Sequence, residues 1–120
     1  MSNPDLDRIR ARFADGWGAW ISVGDGWLPI IVNLDAALSA LEPDLRYHQI
    51  KEKFGELRVY TTHDTHPEVE ALITAAERRS RETCEACGAA GTMHKSHDGW
   101  LRTLCPPCAA EKNHTEVSPQ

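Results

Sequence analysis

Cys84, Cys87, Cys105 and Cys108 are the only cysteines of the chain, and they form two C-x2-C pairs separated by seventeen residues. A thiolate is a soft, charged donor. Two such pairs let four of them converge on one ion, so one zinc ion bound by all four cysteines is expected. Two disulfides, or a redox C-x-x-C, are the alternatives. The first needs an export signal, and Met1-Ser2-Asn3-Pro4-Asp5 has neither a basic nor an apolar region. The second has no use for two copies. His94 and His97 lie between the pairs and could each replace a thiolate, yet the set is complete without them. Four thiolates leave no coordination position for a catalytic water, so the zinc is expected to be structural. Its binding would contribute on the order of ten kcal/mol to folding of the segment. Too little apolar material lies between Gly88 and Leu104 for that segment to fold alone.

The other chemistry-bearing residues are less tightly patterned. Arg46, Lys51, Lys53, Arg58 and Tyr60 gather near a hairpin with Phe54 at its tip. These six are the candidate partner-binding residues. Cations beside aromatics suit a base and its phosphate, or an acidic protein surface. The structural alternative, given more weight, folds Phe54 and Tyr60 into the core and leaves the charges solvated. Trp17, Trp20 and Trp27 lie in a glycine-rich stretch and could line a recognition surface. In a small domain, large aromatics are more often core, and that is the expectation. Trp100 is expected to pack on the zinc hairpin. No catalytic residue is assigned. Ser22, Ser39 and Ser80 lack the surroundings of an activated nucleophile, and there is no phosphate-binding glycine loop. Glu77 and Ser80, one helical turn apart, suit a packing or capping contact.

The elements that must position these groups can be read from hydrophobic periodicity. Leu6, Ile9, Arg10 and Phe13 suggest a short helix over 4–13. Pro29 suits the first turn of a second helix with Ile31, Leu34, Leu38 and Leu41 on one face, ended at Glu42-Pro43. Residues 46–62 read as two alternating strands joined by Lys51-Glu52-Lys53-Phe54-Gly55, with Gly55 able to take positive φ. Asp64-Thr65-His66-Pro67 marks a third helix start, with Val69, Leu72, Ile73 and Ala76 as its stripe. Then come a knuckle at Cys84–Gly88, a small hairpin from Thr92 to Leu104 turning at His97-Asp98-Gly99, and a short helix opened by Cys105-Pro106-Pro107-Cys108. The expected class is α+β. Residues 1–82 form a helix-hairpin-helix portion, 83–112 a four-cysteine zinc module packed on it, and 113–120 a flexible tail.

Knuckle, hairpin and a second pair on a helix N-terminus make a treble clef. The segment Cys84 to Cys108 resembles that of recombination endonuclease VII type nucleases. Those carry Asp-His at the hairpin start and Asn directly after the last cysteine; here the positions read Met93-His94 and Ala109. The resemblance therefore implies the metal-organised hairpin without its hydrolytic set, and leaves His94 and His97 as surface residues. A wider pattern covers about residues 16 to 108. Gly26-Trp27-x-Pro29, Lys51-Glu52-Lys53-Phe54-Gly55-x-Leu57-Arg58-x-Tyr60, Ala76-Glu77-x-x-Ser80-x-x-x-Cys84-x-x-Cys87-Gly88 and Gly99-Trp100-x-x-Thr103-Leu104-Cys105-x-x-Cys108 together resemble a family of small zinc-binding proteins of bacteria, prophages and phages. That resemblance implies a zinc site and a bacterial or phage setting, but no reaction.

Composition narrows the function. The chain has 120 residues, with 13 Lys and Arg against 18 Asp and Glu, for a net charge of -5. Four thiolate charges against the two of a zinc ion take this to -7. A hydrophobic share of 41% and a charged share of 26% are those of a soluble globular chain, expected in the cytoplasm. The longest apolar run, Trp27 to Val32, has six residues and contains a proline, too short to cross a bilayer. Acidic charge argues against a nucleic-acid coat and steers association with basic targets. The expectation is a non-catalytic zinc-stabilised protein that binds a protein partner of basic character, of inhibitor or immunity type, from a bacterial or phage accessory locus. A nucleic-acid-binding zinc-finger protein is the alternative, and a divergent His-Me-type nuclease the third reading.

Overall fold

The computed structural model describes residues 3–62 and 66–117. In chain order the elements are α1 (Pro4–Arg10), β1 (Ile21–Ser22), a 3-10 turn (Asp25–Trp27), α2 (Leu28–Leu41), β2 (Tyr47–Lys53), β3 (Glu56–Thr61), α3 (Pro67–Ser80), β4 (Thr92–Ser96), β5 (Leu101–Leu104), α4 (Pro106–Glu111) and β6 (His114–Glu116). The class is α+β. There are two small sheets, ordered β1-β2-β3 and β5-β4-β6.

Local chemistry accounts for the element ends. The Asn3 side chain accepts the backbone N–H of Asp5 at 3.0 Å and caps α1, with Pro4 at its first position. The helix stops at Arg10, so Phe13 lies beyond it and bridges Tyr47 beside the first sheet. His66 caps α3, its Nδ1 accepting from Glu68 N at 3.2 Å. Asp64 and Thr65 of the expected start lie outside the described residues. In the first hairpin β2 runs on to Lys53, leaving a two-residue turn rather than the five-residue connection expected. Phe54 (φ 53°) and Gly55 (φ 81°) both take the left-handed conformation that such a turn requires. The pairing shifts register between Tyr47 and Gln49. That irregularity breaks the expected alternation and turns both Tyr47 and Ile50 inward.

One layer of helices covers one face of the first sheet. Ile31, Leu34 and Leu38 of α2 meet Ile50, Leu57 and Val59 of the sheet, with Val69 and Ala76 from α3. Ser80 Oγ accepts the Leu57 N–H at 3.0 Å, and Glu77 accepts that of Val59 at 3.2 Å. This is the packing role expected of the pair, and it closes an edge strand whose N–H groups would otherwise lack partners.

The flexible tail expected from residue 113 does not begin there. His114 to Glu116 pair antiparallel with β4, giving β4's outer edge a partner. Positive φ at Asn113 (58°) turns the chain back from α4 to reach it. Residues 118–120 lie outside the described residues.

Under α1 and α2, the Tyr47 hydroxyl donates to Asp35 Oδ1 at 2.6 Å, and Arg12 Nε lies 3.2 Å from the same oxygen. Burial, and then the adjacent carboxylate, push the Tyr47 phenol above its ordinary value. An unfolded tyrosine ionises near about pH 10. Above that pH the folded chain holds a proton that the unfolded chain releases. Stability is therefore full below about pH 10 and falls by about 1.4 kcal/mol per further pH unit. Tyr47→Phe is expected to remove that slope in urea unfolding at alkaline pH. An unchanged slope would place Tyr47 outside this network.

Candidate functional site

The four cysteines arrive from two directions. Cys84 follows the end of α3, where Thr83 bridges Ala90. The knuckle closes through Gly88 N to Cys84 O at 2.9 Å and Cys84 N to Ala89 O at 2.7 Å. Gly88 sits at φ 88°, a conformation costly for any side chain. Cys105 follows β5 at the N-cap position of α4, and Cys108 lies in the first turn of that helix. The four sulfurs lie within 4.8 Å of one another, and Cys87 Sγ is 3.6 Å from Cys105 Sγ. Tetrahedral coordination at the usual zinc–sulfur length puts neighbouring sulfurs about 3.8 Å apart. The arrangement thus fits one metal ion, and none of the four is disulfide-bonded.

The electrostatics of the site call for a cation. Burial raises the Cys84 thiol, but backbone N–H groups of Cys105, Cys87 and Ala86 outweigh it and hold the group at about 6. For Cys87 the Ala89 N–H lowers the value, yet the Cys105 and Cys84 sulfurs beside it leave it raised. Cys108, facing Cys105 and Cys87, is pushed up to about 12. Sulfurs this close cannot all be anionic without positive charge among them. A dication held by the four sulfurs would supply that charge and displace the remaining thiol protons.

No histidine joins the cluster among the described residues. His97 is exposed in the hairpin turn, as expected. His94, expected at the surface, is buried: it sits in the central strand between Arg102 of β5 and Glu116 of β6, and its Nδ1 bonds the Thr92 carbonyl at 2.8 Å.

Sequence reasoning missed what holds the knuckle to the rest of the chain. Gly26 N donates to Glu85 O at 2.7 Å, and Gly24 N to the buried Glu85 carboxylate at 2.9 Å. Trp27 Nε1 donates to Thr83 O at 2.8 Å. A Cβ on Gly26 would lie 2.1 Å from Cys84 O, so only glycine fits. On the other side, Thr103 Oγ1 donates to Gly55 O at 2.8 Å, seating the first hairpin's turn on the second hairpin. The signal was present as Gly24-Asp25-Gly26-Trp27, whose glycines are spaced for close approach rather than for a loop.

The second feature is the outer face of the first sheet, the one without helices. Strand pairing ranks its residues in rows: Gln49 beside Tyr60, then Ser22, Lys51 and Arg58, then Lys53 beside Glu56. Alternation along β1 places Trp20 at the head of the first row. Lys51 Nζ lies 5.7 Å from the Tyr60 ring centroid, and Lys53 Nζ 5.6 Å from that of Phe54. Arg58 pairs with Glu56 at 3.3 Å. The structure thus brings Lys51, Arg58 and Tyr60 together. Arg46 is set at the open end of the hairpin and Phe54 at its tip, a strand's length apart.

The expected core places for the aromatics hold only for Trp27, which is fully buried. Trp17, Trp20, Phe54, Tyr60 and Trp100 are 46, 74, 67, 41 and 73% exposed. Tyr60 alternates with inward Val59 and Thr61, and Phe54 occupies a left-handed turn, so neither can reach the core. Trp17 and Trp20 precede edge strand β1, and Trp100 follows the turn of the second hairpin. Trp17 stacks on His48, with ring centroids 4.6 Å apart and planes 17° from parallel.

Among the described residues no helix is long and apolar enough to cross a membrane. No family model, curated protein or solved structure matches this chain.

Proposed function

We propose that this is a zinc-stabilised binding protein that acts by occupying a partner rather than by catalysis. The donor set supports zinc, because four thiolates with no oxygen ligand favour it over magnesium, calcium or manganese. Closed coordination supports a structural role for the ion.

The observation that carries the binding role is the outer face of the first sheet. Monomeric proteins seldom leave several large aromatics exposed around a cluster of cations. Lys51 and Lys53 have no ion-pair partner among the described residues. The net charge of -5 supports a basic protein partner bound elsewhere on the acidic surface, the inhibitor-type reading. The local sign of this face supports an anionic partner. At physiological salt, charge more than about 8 Å away is largely screened, so the local sign decides what this face takes.

The test is retention on the zinc-loaded protein of macromolecules from a bacterial host, with Lys51→Glu/Tyr60→Ala as control. One zinc per chain and a partner, protein or nucleic acid, held by the wild type and lost by the variant are expected. A metal-free native protein, or equal retention by both, would overturn the reading.

A further inference from the structure

We propose that the outer face of the β1-β2-β3 sheet binds single-stranded nucleic acid, its bases stacking on Trp20, Trp17 and Tyr60 and its phosphates meeting Lys51, Lys53 and Arg58. This rests on the reading of that face as the binding surface and names what it takes.

The rows carry the argument. Tyr60 and Gln49 lie directly beside the cationic row of Lys51 and Arg58, and Trp20, which lines one cleft with Gln49 and Lys51, continues their row beyond β1. Same-face rows are about 7 Å apart, and Trp20 and Tyr60 sit two strands, about 10 Å, from one another. Planar groups can therefore be held at two points while a backbone of negative charge runs along the lysines. A cleft of about 130 Å³ opens beside Trp17 and Trp20, with Ser22, Gln49 and Lys51 also lining it. That is small for a drug-sized ligand and suited to one flat group. Its lining offers ring faces, a hydroxyl, an amide and an ammonium, the groups that stack, read and neutralise a nucleotide. Gly18 shapes it: a Cβ there would meet the Trp20 indole at 2.0 Å, so the ring lies over that glycine.

Three alternatives fit less well. A run of acidic residues supplies charge for the lysines but no ring for the cleft. A duplex keeps its bases stacked on each other and out of reach of Trp20. A mononucleotide in the cleft beside Lys51 leaves Lys53, at the far end of β2, without a ligand charge. A strand of several nucleotides satisfies all of these groups.

The test uses the full, zinc-loaded chain and a labelled twelve-residue oligothymidylate, read by fluorescence anisotropy. Binding is expected, with tryptophan emission quenched. About three neutralised phosphates predict affinity roughly eighteenfold weaker at 200 than at 50 mM salt. Trp20→Ala and Tyr60→Ala should each weaken binding roughly tenfold. Trp20→Phe should recover part of the loss, and Lys51→Glu/Lys53→Glu should flatten the salt dependence. Zinc content and thermal midpoint identify any variant that fails to fold, and Gly18→Ala supplies a second way to displace the Trp20 ring. No binding at 50 mM salt, equal competition by a twelve-base-pair duplex, or wild-type affinity in both aromatic variants would overturn the proposal. Equal competition by polyglutamate would overturn it too, while leaving the wider reading of this face as a binding surface intact.

Discussion

Replacing Cys105 with serine is expected to abolish one-to-one metal binding and to unfold the whole chain, not only its last third. Binding of a structural zinc ion contributes on the order of ten kcal/mol, comparable with the entire net stability of a small domain. The loss cannot stay local, because the knuckle is built into the main core. Trp27, fully buried among the helices, donates to Thr83 O, and Gly26 and Gly24 both bond Glu85. Thr103 holds the turn of the first hairpin at Gly55. Removing the ion frees the knuckle and β5, and those contacts go with them. Metal analysis together with near-ultraviolet circular dichroism of the wild type, with and without a chelator, and of Cys105→Ser measures the effect. The tryptophan signal and the thermal transition should vanish together. A chelated chain that keeps a cooperative transition and the Trp27 signal would show that the centre is not part of the fold.

Asp35→Ala is expected to cost about 3–5 kcal/mol in the zinc-loaded protein. Asp35 is buried on the inner face of α2, where it receives the Tyr47 hydroxyl at 2.6 Å and faces Arg12 Nε at 3.2 Å. Alanine leaves the guanidinium half-buried without its counter-charge and the phenol without its acceptor. The cost is mainly the penalty for those orphaned groups, not the worth of the pair. Arg12→Met/Asp35→Leu should therefore recover most of it. Urea unfolding of the three proteins decides. A loss below about 1 kcal/mol in Asp35→Ala would mean that the pair is solvated in solution.

The elements whose information is local were legible in the sequence. The apolar spacing of Ile31, Leu34 and Leu38 gave α2, and Pro67 with the following stripe gave α3. Gly88 and the two C-x2-C pairs announced the knuckle and its ligands. Besides element ends, the misreadings concern which way a residue faces in three dimensions. One extra residue near His48 decides that Tyr47 and Ile50 share a side, and no alternation pattern reveals it. His94 is buried because β6 returns beside β4, a pairing that polar His114-Thr115-Glu116 does not advertise. Trp17, Trp20 and Trp27 have the same composition around them; only the docking of Thr83 above Trp27 separates the buried one from the exposed two.

By itself the sequence determined a four-cysteine cluster, an α+β class and the hairpin that carries Lys51, Arg58 and Tyr60. Spacing alone is enough there, because ligand geometry, helical period and turn chemistry act over a few residues. The tertiary structure alone decided that the metal knuckle is sewn to Gly24-Asp25-Gly26-Trp27, and that the aromatics lie outside with the lysines. The first depends on contacts between segments sixty residues apart, such as Gly24 with Glu85, and the second on the pairing of β1 with β2, about thirty residues on. The energy of those contacts comes from burial and partner satisfaction, which exist only once the chain is closed.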